Sequence, residues 1–215
     1  MLKLLRSGLL ALLAMMSVPA LATAESPHQV VQVTIDQVLG ELNTRREVFR
    51  KDPELFYRTL DDILTPAIDF EGFVRGVMTV RYSRQASAEQ LQTFQETFKR
   101  SLMKFYGNAL LEYQDQEIRM LPVAAERDPA RASVNMEIVG SNGAVYPLTY
   151  TMELKGERWK VRNVIVNGIN IGKLFRDQFA EAMRNNRNNL DQVIATWGDT
   201  VARSRQSVEA QAGAR

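Results

Sequence analysis

From Trp159 to Phe179 the chain reads WKVRNVIVNGINIGKLFRDQF, and two periodicities meet inside it. Trp159 and Val161 alternate with Lys160 and Arg162, which puts apolar and charged side chains on opposite faces of a strand. Asn163 breaks the phase, and Val164 and Val166 resume it one residue out of step. A slip of one residue predicts a β-bulge, since an extra residue is what returns the apolar set to the same face. Asn167-Gly168 then supplies a turn, after which Ile171, Phe175, Phe179 and Met183 recur at every fourth position between Lys173, Arg176, Asp177 and Glu181. One short segment thus joins a sheet to the helix that packs on it.

Upstream, the chain supplies partners for both halves of that junction. His28 to Arg50 is helical in period, with Val31, Ile35, Val38, Leu39 and Leu42 on one side. Asp52-Pro53 starts a second helix, Asp as cap and Pro at its first position, and Thr65-Pro66 ends it. A short helical piece covers Asp69 to Met78, and Ser87-Ala88-Glu89-Gln90 is a capping box that opens a long helix reaching about Tyr113. After Tyr113 the period changes from 3.6 to 2. Ile118 and Met120 mark one strand, Val134, Met136 and Ile138 a second, and Tyr146, Leu148, Tyr150, Met152 and Leu154 a third, with Gly140 to Gly143 as a hairpin turn. Lys155-Gly156-Glu157 returns the chain into the strand at Trp159, and a last helix runs from about Asn189 to Arg205. Four antiparallel strands in a meander, preceded and followed by helices, predict an α+β domain.

The first 24 residues stand apart from it. Lys3 and Arg6 precede an apolar run from Leu9 to Val18, and Ala22-Thr23-Ala24 is a small-x-small cleavage signal before Glu25. The run is shorter than the roughly 20 apolar residues of a membrane span. The expected organisation is therefore a cleaved signal peptide over 1–24, one domain over 25–206 and a polar tail over 207–215. The whole chain carries 27 basic and 25 acidic residues, and removal of Lys3 and Arg6 leaves 25 of each. A neutral mature chain lacks the basic footprint of a nucleic-acid binder. An exported chain without a cysteine holds its fold by its core alone, and the expected location is the periplasm.

Catalytic signatures are sparse. The single histidine, His28, lies four residues from the expected mature N-terminus, and no G-x-S-x-G, H-E-x-x-H, P-loop or G-x-G-x-x-G is present. The carboxylate pairs Asp61-Asp62, Asp69-Glu71 and Asp177-Glu181, and the basic residues Lys160, Arg162, Lys173 and Arg176, read first as solvated faces. The surplus is instead in soft apolar side chains. Met120, Met136, Tyr146, Leu148, Tyr150 and Met152 fall on one sheet face, and Phe98, Phe105 and Tyr106 meet them if the sheet curves over the long helix. Tyrosines with flexible methionines suit a lining for apolar ligands, and they serve equally as a filled core. The candidate lining also takes in Leu102, Val164, Val166, Ile171 and Phe175.

The strand-turn-helix at Trp159 to Phe179, together with Asp69-Phe70, Arg81-Tyr82 and the run Ser87-x-Glu89-Gln90-x-x-x-Phe94-x-x-x-Phe98, resembles the MlaC family, also known as toluene-tolerance auxiliary proteins. The resemblance extends from the first helix to Trp197. Asn163, Asn167 and Asn170-Ile171 depart from it where acidic residues and Ser-Leu are usual. What the resemblance implies is a periplasmic phospholipid shuttle, not an enzyme. It implies a curved-sheet, helix-covered fold similar to the NTF2-like folds and enclosing an apolar cavity. No cofactor is expected apart from phospholipid as cargo. The partners implied are an outer-membrane lipoprotein-porin complex and an inner-membrane MCE-domain protein of an ABC transporter, with the carrier itself a monomer. Two other readings fit the residues: an NTF2-like enzyme with Asp69 as a base of raised pKa, and an adaptor or chaperone with a packed core.

Overall fold

The computed structural model describes residues 25–114, 116–122 and 128–203, with the backbone alone at Phe105 and Ala109; the expected leader and tail lie outside the described residues. Helices come first. Ser26 and Gln29 cap each other's free amides to start α1 (Pro27–Lys51), and the Asp52 carboxylate accepts the Leu55 N–H at 3.0 Å to start α2 (Pro53–Ala67). Pro66 lies inside the last turn of α2 instead of ending it at Thr65. Asp69 caps α3 (Phe70–Ser83), whose helical geometry breaks at Thr79 (φ 62°, ψ 165°), one residue past the end expected from sequence. The Ser87 capping box opens α4 (Ala88–Leu111) as expected.

The sheet follows as a meander of β1 (Glu117–Met120), β2 (Arg131–Val139), β3 (Val145–Lys155), β4 (Arg158–Val166) and β5 (Ile169–Asn170), antiparallel throughout. It has five strands, not the expected four. Asn167 (φ 49°) and Gly168 (φ 81°) are both left-handed, and this two-residue turn folds Ile169 back onto Val166, so two residues pair before the helix begins. A strand of two residues is too short to show a period. Asn170 ends it and caps α5 (Ile171–Asn185), accepting the Lys173 N–H at 2.8 Å, while Asn163 accepts the Gly172 N–H at 2.9 Å. The expected last helix divides at Thr196 into α6 (Leu190–Ala195) and α7 (197–203). Among the described residues no helix is long and apolar enough to cross a membrane.

The bulge predicted in β4 is present. Thr151 pairs with Asn163 and Met152 with Val161, which leaves Arg162 as the extra residue. Its guanidinium reaches the Asp69 carboxylate at 2.7 Å and Glu153 at 2.9 Å, and Lys155 reaches Asp69 at 3.1 Å. Beside it the Asp69 N–H donates to the Val161 carbonyl at 3.0 Å, and Ile68 makes a parallel bridge to Val161. The α2–α3 junction is thereby fastened to the sheet at the bulge. Gly72 belongs to the same joint, because a Cβ there would collide with the Arg162 guanidinium and the Asp69 carboxylate.

Burial raises the Asp69 pKa, but the Gly72 N–H, Lys155 and Arg162 outweigh it and hold the carboxyl below its ordinary value of 3.8. A carboxylate depressed in the folded chain contributes stability that is present above its unfolded pKa and is lost as pH falls through the folded one. Asp69→Asn is expected to cost about 1–3 kcal/mol at neutral pH by urea denaturation. It should also flatten the loss of stability that the wild type shows below about pH 4. Gly72→Ala, which leaves every charge in place, is expected to lose a similar amount by displacing Arg162; an unchanged urea midpoint would refute the joint.

Candidate ligand cavity

Strand register fixes one wall. Met136 lies opposite Leu148, Ile118 opposite Ile138 and Tyr150 opposite Val164, so alternation puts all six side chains on one face. The bulge then lets Val161 and Val164, three residues apart, share that face. Helix α1 supplies the opposite wall through Val31, Ile35, Val38 and Leu39. Leu64, Ala67 and Ile68 at the end of α2 and Leu110 near the end of α4 close the sides. Between them is an apolar cavity of about 300 Å³.

Its polar groups are few. Thr34 Oγ1 donates to the Val30 carbonyl at 2.7 Å, and the Tyr113 hydroxyl donates to the Gln116 carbonyl at 2.5 Å. Burial pushes the Tyr150 phenol above its ordinary pKa, as expected for a hydroxyl surrounded by hydrocarbon. Val30, Thr34 and Ala67 also line an adjoining open groove of about 840 Å³ between α1, α2 and the β3–β4 turn. There charged side chains join the apolar lining, with Glu25, Glu41, Asp62 and Glu157 against Arg158, and Trp159 at the strand end.

Of the residues expected to line a cavity, Met136, Leu148, Tyr150 and Val164 do so. Met120, Met152 and Val166 share their sheet face and pack in the same cluster without reaching the cavity, and Tyr146 at the far end of β3 is exposed. Phe98 and Phe175 lie elsewhere. Both are fully buried among α3 to α7, with ring centroids 5.2 Å apart and Phe98 stacked on Trp197. Leu102, Tyr106 and Ile171 pack on that aromatic cluster as well. The reason is that α4 turns its aromatic stripe to the other helices, and α1 covers the sheet in its place. The Phe105 side chain lies outside the described residues. Sequence reasoning missed the α1 wall and also Ile68, Ile118, Ile138 and Val161. Every one of these but Ile68 carried a periodic signal, but nothing local said what that stripe faced.

Several of the charged candidates are engaged within the fold. Asp61 pairs with Lys99 at 2.5 Å, Glu71 with Arg75 at 3.0 Å and Asp177 with Lys173 at 2.6 Å. Lys160 donates to the Pro66 carbonyl at the end of α2. Asp69, ion-paired and with its pKa lowered, is the reverse of the poised base that an enzyme reading requires. Among the described residues no group of three His, Cys, Asp or Glu side chains is placed to hold a metal ion.

Comparison with known proteins gives a consistent answer. A solved structure, the phospholipid-binding protein from Ralstonia solanacearum in complex with a phospholipid, shares the fold with a TM-score of 0.74. It is 23% identical and covers 84% of this chain and 99% of its own. The Intermembrane phospholipid transport system binding protein MlaC of Haemophilus influenzae is 25% identical over 149 residues, 68% of this chain and 69% of that protein. Toluene tolerance protein ttg2D of Pseudomonas putida is 54% identical over 209 residues, 97% of this chain and 96% of its own. The family described as MlaC protein matches residues 32–199, a span that takes in the aromatic helical core, the bulged sheet and nearly all of the cavity. With more than half its residues shared with a relative along almost the whole length, the chain belongs to the MlaC family.

Proposed function

We propose that this protein is a periplasmic phospholipid carrier, exported by the signal in residues 1–24 and shuttling lipid between the outer and inner membranes. The observation that carries this reading is the apolar cavity between α1 and the sheet, which shares part of its lining with an open groove that carries charged side chains. That sequence of dry interior and wet mouth is what an amphiphile with acyl tails and a charged headgroup requires. The family and the phospholipid in the Ralstonia solanacearum protein support the same cargo. A sheet bent at the Arg162 bulge and roofed by helices serves as the container, in the manner of NTF2-like folds.

Two acyl chains hold about 30 methylenes, and at about 0.8 kcal/mol each their exposure to water would cost on the order of 20 kcal/mol or more. The carrier must hide nearly all of that surface. The competing environment is a bilayer, which is just as apolar, so the net preference for protein over membrane is small and transfer is an exchange. Tails are held by hydrocarbon contact, and docking to a partner opens the mouth. The partners proposed are an outer-membrane lipoprotein-porin complex and the MCE-domain protein of an inner-membrane ABC transporter. The chain has no nucleotide-binding loop, so energy for directed transport comes from that transporter.

The test is native mass spectrometry of the mature protein with lipid extraction from the same sample. Stoichiometric phospholipid on a monomer is the expected result; a folded protein that stays empty after incubation with phospholipid vesicles would overturn the proposal. Leu148→Trp, which fills the cavity from the sheet side, is expected to abolish co-purifying lipid while the protein stays folded. Were the space already filled by protein, the same substitution would instead destabilise the fold by about 1–3 kcal/mol.

A further inference from the structure

Three side-chain hydroxyls line the cavity among the described residues, and two of them are spent on the protein. Thr34 bonds its own helix and Tyr113 bonds Gln116. Tyr150 differs. Its hydroxyl has no hydrogen-bond partner among the described residues, and it stands on the cavity wall midway along β3, between Val134 of β2 and Val164 of β4. Tyr150 is half-buried, with its ring in the apolar wall, and the hydrocarbon around it raises the phenol pKa. A phenol in hydrocarbon without a partner is penalised, and a ligand made only of alkyl chains would not relieve it.

Depth decides what would. Ala67 is common to groove and cavity, and the neighbouring Ile68 bridges Val161, which pairs with Met152. Tyr150 is two residues further along β3, about 7 Å inward of that threshold. With a phosphate held in the groove, the atoms at this depth are the glycerol linkages at the tops of the acyl chains. An ester carbonyl there is an acceptor for the phenol. An ether-linked lipid has no such carbonyl, and its remaining oxygen lies in line with the chain between two methylenes, where a phenol placed for the branching carbonyl does not meet it.

We infer that the Tyr150 hydroxyl donates a hydrogen bond to an ester carbonyl of the bound lipid, making this residue a determinant of selectivity for ester-linked over ether-linked phospholipids. The inference rests on the carrier reading above and adds to it a preference in linkage chemistry. Headgroup and tail length play no part in it.

The experiment offers wild type and Tyr150→Phe vesicles holding equal amounts of dipalmitoyl phosphatidylethanolamine and its di-O-hexadecyl ether analogue, then quantifies the lipid extracted from each protein by mass spectrometry. Both lipids leave the same bilayer with the same headgroup and a similar hydrocarbon, so the loading ratio reports the linkage. Wild type is expected to carry about tenfold more ester than ether lipid, and Tyr150→Phe about equal amounts. Equal loading of the wild type, a comparison that needs no variant, overturns the assignment; so does a preference that survives in Tyr150→Phe. Uptake of neither lipid by the folded wild type would instead fell the carrier reading itself.

Discussion

The Asp69–Arg162 pair holds two halves of the molecule together, and it exists because β4 contains one residue too many for a regular strand. The bulge turns Arg162 out of the ladder toward the α2–α3 junction and at the same time restores Val164 to the face that Val161 began. A regular strand would do neither. Asp69 answers with three roles at one carboxylate: it caps α3 through Gly72, pairs with Arg162 and pairs with Lys155. The position of α2, and through it of α1 over the sheet, follows from this joint. The cavity is the space that α1 leaves when it is placed there.

Packing divides the work between two kinds of apolar side chain. Around Trp197, the rings of Phe94, Phe98, Phe175 and Phe179 meet at centroid distances of 5.0 to 6.3 Å and leave no surface exposed. Aromatic rings in such contact each bury a large area and add geometric preference to it. Between α1 and the sheet most of the residues are Val, Ile and Leu, with two tyrosines on the wall, and these smaller side chains leave room. A chain with no cysteine thus places its densest packing among the helices, where nothing has to enter. The sheet side is free to be underpacked, a condition that would be destabilising if the whole domain shared it.

Much of this was legible in the sequence, and what was not has a common cause. Helix caps at Asp52 and Ser87, the Asn167-Gly168 turn and the β4 bulge are written in residues a few positions apart, and each is where local chemistry puts it. One wall of the cavity came with them, because alternation names the residues that share a sheet face. The other wall did not. The stripes of α1 and α4 both satisfy a helical period, and the abundance of aromatics on α4 pointed to the wrong helix; rings fill space, whereas a cavity wants side chains that stop short. Asp69 read as a possible base for a similar reason, since its partner Arg162 is 93 residues away. The two-residue strand β5 fell below the length at which any period can be seen.

The bulge and the bridge at Val161 also bear on how this sheet behaves toward other copies of itself. An open meander has two edges, and an edge strand with free amides and carbonyls is a template for pairing with another chain. At one margin β1 is four residues long and carries Glu117 and Arg119 facing outward. At the other, β5 covers the last residues of β4 and Ile68 occupies Val161, while Lys160 and the bulged Arg162 interrupt the stretch between with charge and twist. Neither margin offers a long flat ribbon. The irregularity that shapes the container therefore also protects the sheet against edge-to-edge aggregation.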